Sequence, residues 1–325
     1  MRTPDFARLR KVIDRQNSEP VLFEFFMNPK LNMHLAGDEI CAIQDEMSWH
    51  RICIHAFANA GYDYVTMNGS AYPDDGKGYA PISCMDDLEG YHWPDPDSFD
   101  YSVLDKSGAM LPEGMKIVSH QYDGIWEMAQ KRLADGYAGA AMLMLDDPEL
   151  CKIVFDEIGS RYLRYYEIIS ANEHVGACLC NDDWGFKTQT MINPDFYREY
   201  VFPWYKKIVE VCHKNDKPVI LHSCGKIDIV MDDIISDMKF DAKHSFEDAI
   251  MPVEDAYDRY HYDIAIMGGI DMDFLCRKTP AEIRMRCEKM LERAPVGYAL
   301  GSGNSIPDYV PFENYFAMID VIRNM

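Results

Sequence analysis

Apolar residues along this chain gather in short runs that alternate with longer stretches of helical spacing. Runs at 21–26, 62–67, 116–120, 174–180, 219–221, 241–245, 263–267 and 298–300 read as eight short strands. Between them, helical spacing predicts helices at 5–15, 39–60, 124–134, 137–145, 148–170, 194–215, 228–238, 253–260, 280–293 and 311–322. Their ends carry the expected signals. Gly61 is placed to close the second helix, a proline opens the one at 148, and Asn193 is placed to cap the one at 194. Residues 68–100 show no periodicity and are rich in Gly, Pro, Asp and aromatics. A connection of that length inside a compact domain predicts a functional loop. Tyr72, Tyr79, Tyr91 and Trp93 suggest an ordered cap over about 68–112, with an aromatic wall for a planar substrate.

Eight strands alternating with helices predict an α/β fold, a (β/α)8 TIM barrel. A length of 325 residues suits one such domain over the whole chain, 1–325, preceded by a helical segment at about 1–18. A doubly wound open sheet is the alternative, but it would show a Gly-rich phosphate turn near its start, and none is present. In a barrel, chemistry sits at the C-terminal ends of the strands. Those ends carry Asn28, Asn68, His120, Asp182 and Asp183, His222 and Cys224, Glu247, Asp271 and Asn304.

The stretch Val219 to Gly225 is the most suggestive of these. His222 and Cys224 lie two apart in an extended segment, so both point to one side. Imidazole and thiolate are donors that suit Zn2+. A structural histidine beside a core cysteine is the competing reading. Cys178 and Cys180 form a rival pair on one strand face, for which core thiols are the simpler reading. At Asn181-Asp182-Asp183-Trp184, one carboxylate serves as acid/base or binds substrate, or the turn is merely capped. His120 and His244 are either satisfied core histidines or partners of a ligand.

Composition narrows the class. A net charge of -22 excludes nucleic acid as a partner, because binding phosphates needs clustered Lys and Arg. No run of eighteen apolar residues suggests a membrane span, and the first 19 residues lack a signal-peptide core. The expectation is a cytoplasmic protein whose ten cysteines are reduced. The oligomeric state is open, and a homodimer is compatible with it.

The segments H-S-C-G at 222–225, H-S-F-E at 244–247, G-G-I-D at 268–271, G-S-G-N-S-I-P at 301–307 and P-F-E-N at 311–314 resemble the uroporphyrinogen decarboxylase superfamily, and more closely its cobalamin-dependent methyltransferase branch. The resemblance implies zinc on His222 and Cys224. It offers Glu247 as the next ligand, and it places Asn304 where the branch has its last thiolate. Their places at the strand ends make Asp182, Asp183 and Asn304 the catalytic candidates and Asn28, Asn68, His120, Trp184 and Asp271 the substrate-binding ones. At Asn304, either zinc keeps an open site, the amide coordinates weakly, or the position serves the substrate. The decarboxylase's arginine-bearing segment near the start is absent; F-E-F-F-M-N-P stands there instead. No D-x-H-x-x-G corrinoid motif occurs. The cobalamin is therefore expected on a separate corrinoid protein docking at the barrel mouth. With a thiolate missing, the favoured reaction is demethylation of a small methoxylated compound. Methyl transfer to a thiol is the alternative, and a zinc-free decarboxylase-like or binding barrel is the alternative of another class.

Overall fold

A computed structural model describes residues 2–70, 80–121 and 123–324. Its eight strands are β1 (Val21–Leu22), β2 (Tyr64–Asn68), β3 (Lys116–His120), β4 (Val175–Asn181), β5 (Val219–His222), β6 (Ala242–His244), β7 (Ala265–Met267) and β8 (Tyr298–Leu300). They form one sheet in the order β1-β8-β7-β6-β5-β4-β3-β2, with every pair parallel. Helices follow the strands in the chain, so the fold is the (β/α)8 barrel. The strands are buried almost throughout, as expected of a parallel sheet covered on both faces.

Among the described residues no backbone ladder joins β1 to β2, and side chains bridge the seam. The Tyr64 hydroxyl donates to the Glu24 carbonyl and accepts from the Glu24 amide, both at 2.7 Å. Thr66 Oγ1 donates to the Phe25 carbonyl at 2.7 Å. The Tyr64 hydroxyl thus stands in for a peptide group of the missing ladder.

The helix expected over 39–60 is broken in two, Asp38–Cys41 and Ser48–Ala60. At the break, Asp45 accepts from the Met47 amide at 2.9 Å and its carbonyl takes the Ser48 hydroxyl at 2.6 Å. Such local bonds compete with the helical ladder. The 194–215 helix contains a wide π turn, Tyr197–Val201, just before Pro203, which supplies no amide hydrogen to the ladder. Among the described residues, the helices Pro29–Ala36, Ser102–Gly108 and Met272–Arg277 fall where the spacing predicts none. The second lies inside the stretch read as a cap. Of that cap's aromatics, Tyr72 and Tyr79 lie outside the described residues. Tyr91 and Trp93 pair at 4.6 Å, and Trp93 covers the guanidinium of Arg161 at 5.3 Å.

Candidate functional site

The loops after β4 and β5 are stapled together at two glycines. Gly225 adopts φ +85°, and a Cβ there would lie 2.0 Å from the Gly185 carbonyl. The Gly185 amide donates to the Cys224 carbonyl at 3.2 Å, and the Lys226 amide to the Phe186 carbonyl at 2.7 Å. This contact sets Asp183 beside Cys224, whose amide donates to Asp183 Oδ1 at 2.8 Å. Asp183, His222 and Cys224 offer a carboxylate oxygen, an imidazole nitrogen and a sulfur, all within 4.8 Å of one another.

A hydrogen-bond relay determines which nitrogen His222 presents. His244 Nε2 lies 3.2 Å from the Ser302 carbonyl, which can only accept, so Nε2 carries the hydrogen. Burial holds His244 neutral by lowering its pKa to about 3, which leaves Nδ1 as an acceptor. His222 Nδ1, 2.7 Å away, must then donate. Burial, then the neighbouring His244, holds His222 well below the usual histidine range, so its Nε2 bears a lone pair 3.5 Å from Cys224 Sγ. Gly268, at φ +67°, makes room for the relay, since a Cβ there would lie 2.2 Å from the Ser302 carbonyl and 2.9 Å from His244 Nε2.

Cys224 Sγ receives two hydrogen bonds, from Ser245 Oγ and from Asn304 Nδ2, both at 3.3 Å. Burial, and secondarily the Asp183 charge, pushes the thiol up to about 12. A cation among these donors would reverse that balance by favouring the thiolate. The donor set therefore fits Zn2+: a neutral imidazole with its Nε2 lone pair turned toward the sulfur, a sulfur and a carboxylate. Nearby, Lys243 is buried with its ammonium on the carbonyls of Ser223, His244 and Ser245, and burial lowers it to about 8.

Several residues expected at the site make bonds that hold the fold. Asp182 is fully buried, and its carboxylate accepts from the amides of Trp126 and Glu127 and from the Tyr205 hydroxyl, at 2.9–3.0 Å. It caps the Ile125–Arg132 helix, because adjacent residues at a strand end point to opposite sides and Asp183 takes the inward one. Trp184 is buried against Tyr197, Phe202 and Tyr205. Asn28 caps the Pro29–Ala36 helix through Leu31 and ties it to the carbonyls of Ile306 and Pro307. Asp271 caps the Met272–Arg277 helix and also accepts from the Asp248 amide at 2.9 Å.

Glu247 is not in the metal-capable trio; Asp183 takes the third place. Glu247 lies with Asn304, Asp271 and Lys187 along a polar cleft of about 700 Å³. Asn68 and His120 line a second hollow of about 330 Å³ near β1 and β2, where burial lowers His120 to about 4. Sequence reasoning missed Ser245, Ser302 and Glu24. Glu24 is buried with its carboxyl on the Ser302 hydroxyl at 2.8 Å, and burial raises it to about 8. Ser245 had a signal in hand, as the neighbour of His244 at a strand end.

The family model described as uroporphyrinogen decarboxylase (URO-D) matches residues 125–325, more than half the chain and the part holding the whole trio and its relay. The chain belongs to the uroporphyrinogen decarboxylase family. Among its relatives, the methylcobamide:CoM methyltransferase MtbA of Methanosarcina acetivorans is 22% identical over 240 residues, 69% of this chain and 66% of that protein. A methyltransferase from Methanosarcina mazei superposes with a TM-score of 0.76 at 14% identity, covering 100% of this chain and 99% of the other. A putative vitamin-B12-independent methionine synthase from Listeria monocytogenes gives 0.50 at 13% identity, over 99% and 97%. At these identities the two structures speak for the barrel. No helix among the described residues is long and apolar enough to cross a membrane.

Proposed function

We infer that this member of the uroporphyrinogen decarboxylase family is a zinc-dependent, corrinoid-dependent methyltransferase. It moves a methyl group between a small methoxylated compound, in the direction of demethylation, and the cobalt of a separate corrinoid protein docked at the barrel mouth. The observation that carries this reading is the convergence of Asp183, His222 and Cys224 within 4.8 Å, with the His222 lone pair aimed at the sulfur. The likeness to the methylcobamide:CoM methyltransferase of Methanosarcina acetivorans supports the corrinoid link.

His222, Cys224 and Asp183 would hold the zinc, with Asp183 supplying the donor that the sequence assigned to Glu247. Bound there, zinc supplies Lewis-acid stabilisation for an oxygen that loses its methyl group. The chain's own residues prepare that position. The His244–Ser302 relay keeps His222 in its ligating tautomer. Asn304 and Ser245 donate to the sulfur and so draw charge from it, which keeps a bound metal electrophilic. Asn304 thus contributes a hydrogen bond where the branch has a thiolate. Asn68 and His120 face the substrate side.

The thiol alternative has one observation in its favour besides the relative's name. The polar cleft carries Lys187, Arg277 and Lys278, groups that an anionic thiol would need. Porphyrinogen decarboxylation is disfavoured, because residues 21–30 hold no arginine to grip its carboxylates. The test is transfer of methyl from a methoxylated arene to reduced cobalamin, followed by the cobalamin spectrum. Zinc-loaded protein should show it and the Cys224→Ser protein should not. Equal rates from both would refute the reading.

A further inference from the structure

The hollow of about 330 Å³ beside β1 and β2 has a chemistry unlike the rest of the barrel mouth. Among the described residues lining it none is charged. Its walls are ring faces and sulfur-bearing chains: Phe25, Trp49, Phe57, His120, Cys53 and Met67. An anionic thiol and a polycarboxylate would each lose hydration there with no counter-charge in return. A flat, neutral ring would lose little and gain edge and face contacts with four aromatic side chains. An apolar cavity of about 150 Å³ already holds benzene, so this one has room for a substituted single ring and none for a tetrapyrrole.

Two further features point to an occupant. Asn32 lines the hollow and is 2% exposed. Its Nδ2 donates to the Met27 and Asn28 carbonyls, while its Oδ1 is buried without a hydrogen-bond partner among the described residues. His50 Nδ1 on the same lining is in the same state. Buried polar atoms left unpaired are rare in folded proteins, and an acceptor here suits a ring hydroxyl. The hollow also adjoins the metal-capable trio. The Phe25 ring packs 4.8 Å from the His222 ring, and Ser305, on the lining, donates its amide to the side chain of Asn304, which reaches the Cys224 sulfur.

We propose that this hollow is the specificity pocket of the enzyme and takes the uncharged ring of an aryl methyl ether, a methoxyphenol above all. The proposal rests on the methyltransferase reading for the fate of the methyl group; ring binding itself is independent of it. The test is calorimetric titration of the zinc-loaded full chain with 2-methoxyphenol, and in parallel with tetramethylammonium and 2-mercaptoethanesulfonate. Two variants accompany it: Trp49→Ala, which removes an exposed wall, and Cys53→Phe, which fills the hollow. The expected result is saturable binding of the methoxyphenol, weakened about tenfold or more by each variant, with zinc content and melting temperature unchanged in Trp49→Ala. Failure of the phenol to bind, or binding that neither variant alters, overturns the pocket. Methyl transfer is scored separately. Transfer from a non-aromatic ether without ring binding would overturn the pocket and leave the methyltransferase standing. Ring binding without any transfer would support the pocket and count against the methyltransferase.

Discussion

Two hollows flank the strand-eight loop, and adjacent residues face them: Asn304 the polar cleft, Ser305 the apolar pocket. The cleft of about 700 Å³ carries Glu247, Asp248, Asp271 and Asp273 together with Lys187, Arg277 and Lys278. The pocket of about 330 Å³ carries no charge among its described residues. One barrel mouth therefore offers a hydrated side and a dry side, with the Asp183–His222–Cys224 group held near both through Asn304 and Phe25. On the proposed reading, a small neutral methyl donor takes the dry side.

The largest way to break this comparison is at the shared centre. Cys224→Ser should cut methyl transfer by about 100-fold or more, whichever hollow the substrate uses, while calorimetric ring binding survives. Loss of ring binding as well would show that the two regions are not separable. Next in size, His244→Phe frees the His222 ring from its tautomer and should weaken metal binding about 10–100-fold in chelator competition. It too should leave ring affinity alone.

Asp182→Asn tests the opposite assignment, that this carboxylate serves the scaffold. Its amide group would face donors with a donor, at a cost of about 1–3 kcal/mol in urea unfolding. Zinc content should not change; loss of zinc would return Asp182 to the site. The smallest effect concerns Glu24 at the seam. Its carboxyl is raised by burial from an ordinary 4.5 to about 8. A raised folded pKa means that the neutral acid is favoured inside, so its contribution to stability is full below about pH 4.5 and is lost as pH climbs toward 8. Glu24→Gln should flatten that decline in melting temperature measured from pH 5 to 8, and an unchanged slope would count against it.

Much of the fold was legible because a buried parallel strand is a short apolar run and little else. All eight strands appear within a residue or two at most ends, β1 being the shortest against expectation. What periodicity could not show was local competition: the Asp45–Ser48 bonds that break one helix, and Pro203 that widens another. The site was half legible. The H-x-C spacing by itself aligns two donors, as the neighbouring positions of His222 and Cys224 require. The third donor depended on Gly185 meeting Gly225 across two loops, a contact between residues forty apart that no spacing rule encodes. For the same reason Asp182 and Asp183 were indistinguishable in sequence. Only the facing of the β4 end assigns one to a helix cap and the other to the sulfur's side. Asn28 and Asp271 carry a second role that spacing does not show, because a polar residue at a strand end is also the natural cap of the helix that follows.

The central claim is that Asp183, His222 and Cys224 form a metal centre, and elemental analysis of protein purified without chelators tests it most directly. About one zinc per chain is expected, absent from Cys224→Ser and retained in Glu247→Gln. A folded wild-type chain that holds no zinc even after zinc is supplied would contradict the account. So would a chain whose zinc depends on Glu247 and not on Cys224.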